Sequence, residues 1–256
     1  VKTPAPLKLL NAIALSNKTE EIWAMVGAYM APLGFSRLNY GLTRFRFENS
    51  IGDPEDALYL STQSTEYMTE FFTKGHFART PVFRWVMTHT GTCNWRWIEE
   101  ARAAGTLSPA ELEALEVNDR LGVKAGIAIS FPETSNRIKG AIGMIADKGL
   151  GHDDVDAIWA DQGDAISAVA HMMHLKIASL PMRSPKRALT NRQREALEWV
   201  ADGKTMQDTA ILMGVSAAMV EKHLRLAREA LDVETTTQAV AKATLLNVIF
   251  TRGGLD

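Results

Sequence analysis

The sequence predicts an α+β protein: an N-terminal α/β/α sandwich around a mainly antiparallel sheet, joined to a C-terminal all-α domain of four helices. Three observations carry this reading. Strand-like segments in the first part of the chain are flanked by helical ones before and after. Ser179-Leu-Pro-Met-Arg-Ser-Pro-Lys-Arg187 then breaks the composition with two prolines and three basic residues, which reads as a linker. After it, helix caps and glycine stops recur at short intervals. The expected domains are residues 1–178 and 189–256, with a linker over 179–188.

Taken in order, Glu20 to Leu33 places Ile22, Trp23, Val26, Tyr29, Met30 and Leu33 at helical spacing, and Gly34 is the stop. Strand-like segments follow at Leu38–Phe47, Ala57–Ser61, Ala125–Phe131 and Ala141–Ala146. Helical stretches near Glu66–Phe72, Val82–Thr88 and Pro109–Leu121 lie between the second and third. The last opens on Ser108-Pro109, an N-cap followed by proline at the first helical position. Asp153 to Ile177 forms one long helix with Val155, Ile158, Trp159, Ile166, Val169, Met173 and Ile177 on its apolar face. A sandwich of this kind leaves room between sheet and helices for a small apolar ligand.

Beyond the linker, Thr190 and Gln193 form a capping box, and Ala196, Leu197 and Val200 continue the helix to Gly203. A second helix runs from Thr205 to Gly214. Ser216 caps a third, with Val220, Leu224, Ala227 and Leu231 inward and Lys222, Arg225 and Arg228 outward. A fourth spans about Thr237 to Phe250. Helix, glycine turn, then a capped helix with basic residues opposite its apolar stripe is the helix-turn-helix pattern, which places the later helix in the major groove of double-stranded DNA.

Composition bounds the rest. The 256 residues carry 28 Lys and Arg against 30 Asp and Glu, net -2, with one cysteine, Cys93. A single cysteine excludes intramolecular disulfides, zinc knuckles and iron–sulfur sets, and fits a cytoplasmic protein. No apolar run nears the roughly 18 residues of a membrane span, so no membrane partner is expected. The net charge hides an asymmetry. From Met182 onward there are 11 basic and 9 acidic residues, whereas the first 181 carry 17 and 21. His171 and His174 sit at i, i+3 but lack a third ligand, so they read as solvent-facing or interface residues, with no metal site expected. Glu111, Glu113, Glu116 and Asp119 form an acidic helix face, and Cys93 has no base beside it, so no catalytic constellation is expected.

The segment Leu189-Thr-Asn-Arg-Gln-Arg-Glu-Ala-Leu-Glu-Trp-Val-Ala-Asp-Gly-Lys-Thr205, with Gly214-Val-Ser216, Val220 and His223, resembles the DNA-binding domain of LuxR-type quorum-sensing regulators. The resemblance implies that Thr190, Arg192, Lys204, Thr205 and Ser216 approach phosphates. It places Glu221 and Arg225 against base edges, Arg225 being suited to guanine, and Lys222 and Arg228 on the same DNA-facing helix. Thr209, Met219 and Thr236 depart from the residues relatives carry, and losing a hydroxyl and a cation weakens non-specific affinity.

Over residues 7–178 the resemblance rests on spacing. Relatives carry a Trp-x3-Tyr-x8-Asp-Pro run, a second Trp and a later Gly around an N-acyl homoserine lactone. Here the register reads Tyr67, Phe71, Thr80-Pro81, Trp95 and Gly126. Phe71 offers no polar contact and Thr80 only a neutral one. Gly143 stands where many relatives have Ser or Thr. The acyl-lactone therefore loses polar anchors, and the pocket is expected either to take another apolar small molecule or to be filled by its own side chains, Tyr29, Tyr40, Phe45, Phe83, Trp85 and Met144 among them. No cofactor is expected otherwise. The resemblance implies a homodimeric, DNA-binding transcription regulator and not an enzyme; the alternative is an anti-activator that forms a heterodimer with another LuxR-type regulator.

Overall fold

The computed structural model describes residues 6–47, 50–133, 135–182 and 188–251. The chain forms two compact units, residues 1–178 and 179–256. Arg183–Arg187, which hold all three basic residues of the expected linker, lie outside the described residues.

The first unit begins with α1 (Pro6–Leu15) and α2 (Thr19–Met30), then β1 (Arg37–Thr43) and β2 (Ala57–Ser61). α3 (Thr65–Tyr67) widens into a π turn over Met68–Thr73. Next come α4 (Pro81–Thr88), β3 (Gly91–Asn94), α5 (Arg96–Ala103), α6 (Pro109–Arg120), β4 (Gly126–Ser130), β5 (Lys139–Ile145) and α7 (His152–Ser179). The five strands form one antiparallel sheet in the order β2-β1-β5-β4-β3.

Strand alternation sorts this sheet into two unlike faces. Leu38, Tyr40 and Leu42 of β1 share a face with Met144 and Ile142 of β5 and Ile127 and Ile129 of β4. All seven are buried, as are Ile22 and Val26 of α2 and Ile166, Val169 and Met173 of α7. The other face is made mostly of small residues, with Tyr59 on the β2 edge the exception. The register aligns Asn39, Gly143, Ala128 and Cys93 in one row, and Tyr59, Gly41, Ala141 and Ser130 in the next. With so little side-chain volume on the sheet, the helices on that side cannot pack directly against it.

Several elements differ from the sequence reading. β1 ends at Thr43 instead of Phe47, because the Thr43 hydroxyl accepts from Phe45 N at 3.1 Å and Arg46 N donates to Arg137 O at 2.8 Å, turning the chain away from its partner strand. α1, α5 and β3 were not expected. α1 buries only Leu9 and Ile13, and α5 follows Trp95, a residue whose side chain caps nothing. β3 is Gly-Thr-Cys-Asn at the sheet edge, with no apolar alternation. His174 corrects the solvent or interface expectation: it is buried, its Nδ1 lies 3.0 Å from Tyr40 Oη, and its ring stacks on Phe131 at 4.1 Å. His171 is half-buried, with Nδ1 2.7 Å from Ser167 O. Ile158 and Trp159, expected on the apolar face of α7, are only partly covered.

The second unit holds α8 (Asn191–Ala201), α9 (Met206–Met213), α10 (Ala217–Leu231) and α11 (Thr236–Leu245). Thr190–Gln193, Thr205–Asp208 and Thr235–Gln238 are reciprocal capping boxes. Gly214 turns α9 into α10 at φ 65°. Ala196, Leu197, Val220, Leu224, Ala227, Leu231, Ala239 and Ala243 close the core. α11 stops at Leu245 and not at Phe250, since Val248 N folds back to Ala243 O and Asn247 takes φ 53°.

Candidate functional site

The small-residue face of the sheet and the helices α3 to α6 enclose a cavity of about 460 Å³. Gly41, Ala141, Gly143 and Ala128 form its floor, and Tyr59, Phe71, Phe72, Phe77 and Phe83 supply an aromatic wall. Two features aim these rings. The π turn carries Phe71 and Phe72 side by side, and Phe72 stacks on Phe77 at 4.8 Å while Tyr59 meets both Phe72 and Phe77 edge-on at 6.0 Å. The aromatic rings thus pack on one another, and the cavity remains open: the expectation that its own side chains fill it is not met. Tyr29 and Met144 belong to the opposite face, and the Tyr40 ring points there too, toward Trp23, Phe131 and His174.

Four of the five sequence-predicted ligand residues, Tyr67, Phe71, Thr80 and Trp95, line the cavity. Tyr67 Oη accepts from Asn39 Nδ2 at 3.2 Å, leaving its own hydrogen to donate, and burial pushes the phenol pKa up, so it stays protonated. Phe71 stacks obliquely on Tyr67 at 5.0 Å. Thr80 caps α4: its hydroxyl donates to Phe77 O at 2.9 Å and accepts from Phe83 N at 3.1 Å. Gly126 does not line the cavity. A Cβ there would stand 2.5 Å from Met144 O and 2.8 Å from the Trp95 ring, so this glycine is the seat on which Trp95 lies.

Among the lining residues that the sequence reading missed are three that carry unpartnered polar atoms, Tyr59, Asn118 and His152. Tyr59 Oη and Asn118 Oδ1 are buried without hydrogen-bond partners, as is Trp95 Nε1. Burial pushes the Tyr59 phenol up to about 12, which keeps it a donor. Asn118 had a legible signal, a lone amide following Ala114, Leu115 and Val117 on the buried face of α6. At the rim stand Glu99, Lys124 and the pair Arg102–Asp119 at 3.2 Å, all exposed. Among the described residues no group of three or more His, Cys, Asp or Glu side chains is placed to hold a metal ion, and no helix is long and apolar enough to cross a membrane. Cys93 is buried, and the Trp97 indole N–H donates to its sulfur at 3.0 Å.

In the second unit the outward face of α10 carries Glu221, Lys222 and Arg225, all exposed. Arg225 is ion-paired with Glu229 of the same helix. Arg228 is turned inward, donating to Thr236 Oγ1 at 2.8 Å and to Glu221 at 3.0 Å, and so fixes Glu221. Thr190, Thr205 and Ser216 spend their hydroxyls on caps, and Thr205 also donates to Asp208 at 2.6 Å. Arg192 holds Glu195 at 2.7 Å. Lys204 and Lys222 are exposed, with no ion pair among the described residues.

An open cavity on the sheet and a helix-turn-helix on one chain match two known families: residues 18–177 correspond to the autoinducer binding domain and residues 187–231 to sigma-70 region 4. The chain belongs to the autoinducer-binding family of LuxR-type regulators. These are transcription regulators and not enzymes. Among LuxR-type relatives, the chain is 36% identical over 84 residues to the quorum sensing-dependent transcriptional regulator RpaR of Rhodopseudomonas palustris, covering 33% of this chain and only about a third (34%) of that protein. It is 27% identical over 183 residues to the transcriptional activator TraR of Rhizobium radiobacter, covering 70% of this chain and 74% of TraR. Escherichia coli SdiA has a similar fold at 14% identity, with a TM-score of 0.53 over 96% of this chain and 98% of that one.

Proposed function

We propose that this LuxR-type protein is a homodimeric regulator in which a small acyl molecule, held in the cavity of residues 1–178, governs DNA binding by residues 189–256, with 179–188 as the linker. The observation that carries the reading is the cavity itself. It has a volume suited to one small ligand and is walled by aromatics, and buried polar atoms of Tyr59, Trp95, Asn118 and His152 on its lining lack hydrogen-bond partners. Symmetric pairing would set two copies of α10 on half-sites about one helical turn apart. Arg225 is the base-reading residue, and Lys204 and Lys222 supply phosphate contacts beside it.

The test is fluorescence anisotropy of the purified protein on palindromic DNA, with and without a panel of N-acyl homoserine lactones. The expected result is sequence-specific binding that depends on an acyl-lactone, and a loss of about 10- to 100-fold on the preferred sequence in Arg225→Ala. Failure of the pure protein to select any sequence, with or without lactone, would overturn this reading in favour of an anti-activator that acts through a heterodimer.

A further inference from the structure

The cavity wall is well supplied with hydrogen-bond donors and poor in free acceptors. Trp95 Nε1–H is unpartnered, and the Tyr59 and Tyr67 hydroxyls each have a hydrogen to give. On the acceptor side, Thr80 is spent on the cap of α4 and Asn39 Oδ1 already accepts from Ser61 at 2.7 Å. The carboxylates of Glu99 and Asp119 stand at the exposed rim, the latter paired with Arg102. That leaves the His152 imidazole, whose Nε2 lies 3.4 Å from the rim carboxylate of Glu99, and Asn118 Oδ1, an amide oxygen on a residue 9% exposed, with no partner and no charged group against it. A buried unpaired polar atom is costly, and one amide on the buried face of α6 is not needed to close the helix, whose Ser108–Glu111 capping box is complete without it.

Resting on the reading of the cavity as an acyl-ligand site, we infer that Asn118 is a recognition residue: its Oδ1 accepts the N–H of an N-acyl amide while the Trp95 indole donates to a carbonyl of the same ligand. The acceptor for the ligand N–H has thus moved from the loop before α4, where Thr80 stands, to α6. Trp95 is held for its part by the glycine seat at 126 and also lies 9% exposed. The matching ligand is acceptor-rich with one donor. A simple ester of the same shape satisfies Trp95 and leaves Asn118 unpaired.

A ligand-by-protein cycle tests this on the full chain. The probes are N-octanoyl-L-homoserine lactone and its ester analogue, in which oxygen replaces the N–H. Binding is read by calorimetry in the wild type, Asn118→Leu, Asn118→Ala and Trp95→Phe. The wild type is expected to prefer the amide by about five-fold, the range for one hydrogen bond. Asn118→Leu and Asn118→Ala should bring the two probes to parity by weakening the amide. Trp95→Phe should weaken both probes alike, because both retain the carbonyl. Without ligand, Asn118→Leu should melt no lower than wild type, since it removes an unpaired polar group. Amide preference that persists in both Asn118 variants overturns this inference and leaves the cavity assignment standing. A wild type that binds neither probe overturns the assignment and the inference together.

Discussion

Thr209 has no exposed surface and its hydroxyl has no partner, in a position on α9 where an aliphatic side chain would satisfy the core equally well. The cost of such an orphan is about 1–3 kcal/mol, larger than the difference in helix propensity between threonine and valine. Thr209→Val is therefore expected to stabilise the second unit by about 1 kcal/mol, a rise of about 4–8 °C for a domain of its size. Thermal melts followed by circular dichroism check this, and a lower melting temperature in the variant would show that the hydroxyl is bonded. The opposite logic holds at Gly126, where the missing side chain is the functional feature because Trp95 occupies its space. Both residues show why single positions mislead when read alone: a polar residue can be idle and a glycine can be structural.

On the helical side of the cavity, the N-terminal end of α6 is closed by its own cap and tied to α4. Glu111 accepts from Ser108 N and Ser108 Oγ, both at 2.9 Å, and from Arg84 Nε of α4 at 2.8 Å. Burial disfavours the charged carboxylate, but the hydrogen bonds from Ser108 and Arg84 outweigh it and hold its pKa below the usual glutamate range. Arg84 is largely exposed, so most of the stabilisation comes from the capping box. Glu111→Gln keeps the shape and removes the charge, at an expected cost of about 1 kcal/mol at neutral pH. The sign follows from the lowered pKa. The charged form's advantage is complete above about pH 4.3 and is lost as pH falls through the folded value. Denaturant melts should show the gap between wild type and variant closing on acidification, and a gap that widens would contradict the carboxylate's role. Elements with strong period or caps, such as β2, α6, α7 and the helices of the second unit, were legible from sequence. β3 and α5 were not, because a four-residue edge strand without alternation carries no local signal, and the one side-chain cap of α5, Asn94 Oδ1 accepting from Arg96 N at 2.9 Å, comes from the residue before the N-cap Trp95 and ends that strand. The cavity register found Tyr67, Phe71, Thr80 and Trp95; Tyr59 faces the cavity only through sheet register, which the sequence does not display, whereas the lone amide of Asn118 among the buried positions of α6 was legible but points to a buried polar group and not to a cavity.

Across the whole molecule, the acidic first 181 residues and the basic remainder nearly cancel, so affinity for DNA depends on which local cations are free. Arg192, Arg225 and Arg228 each hold a glutamate of their own helix, whereas Lys204 and Lys222 hold none among the described residues. Each phosphate neutralised adds about 0.9 to the slope of log affinity against log salt. Arg225 must leave Glu229 to reach a base, and that exchange costs little because the pair is half-exposed. Two variants then move the slope in opposite directions. Lys222→Ala should flatten it by about one per protomer and weaken binding evenly across DNA sequences, the mark of a phosphate contact. Glu229→Gln should release Arg225 and remove a like charge from the duplex, strengthening binding at low salt and steepening the slope. Anisotropy titrations over a salt series measure both. If Glu229→Gln leaves the slope and the affinity unchanged, α10 does not face the duplex in the orientation assigned to it, and the reading of Arg225 falls with that orientation.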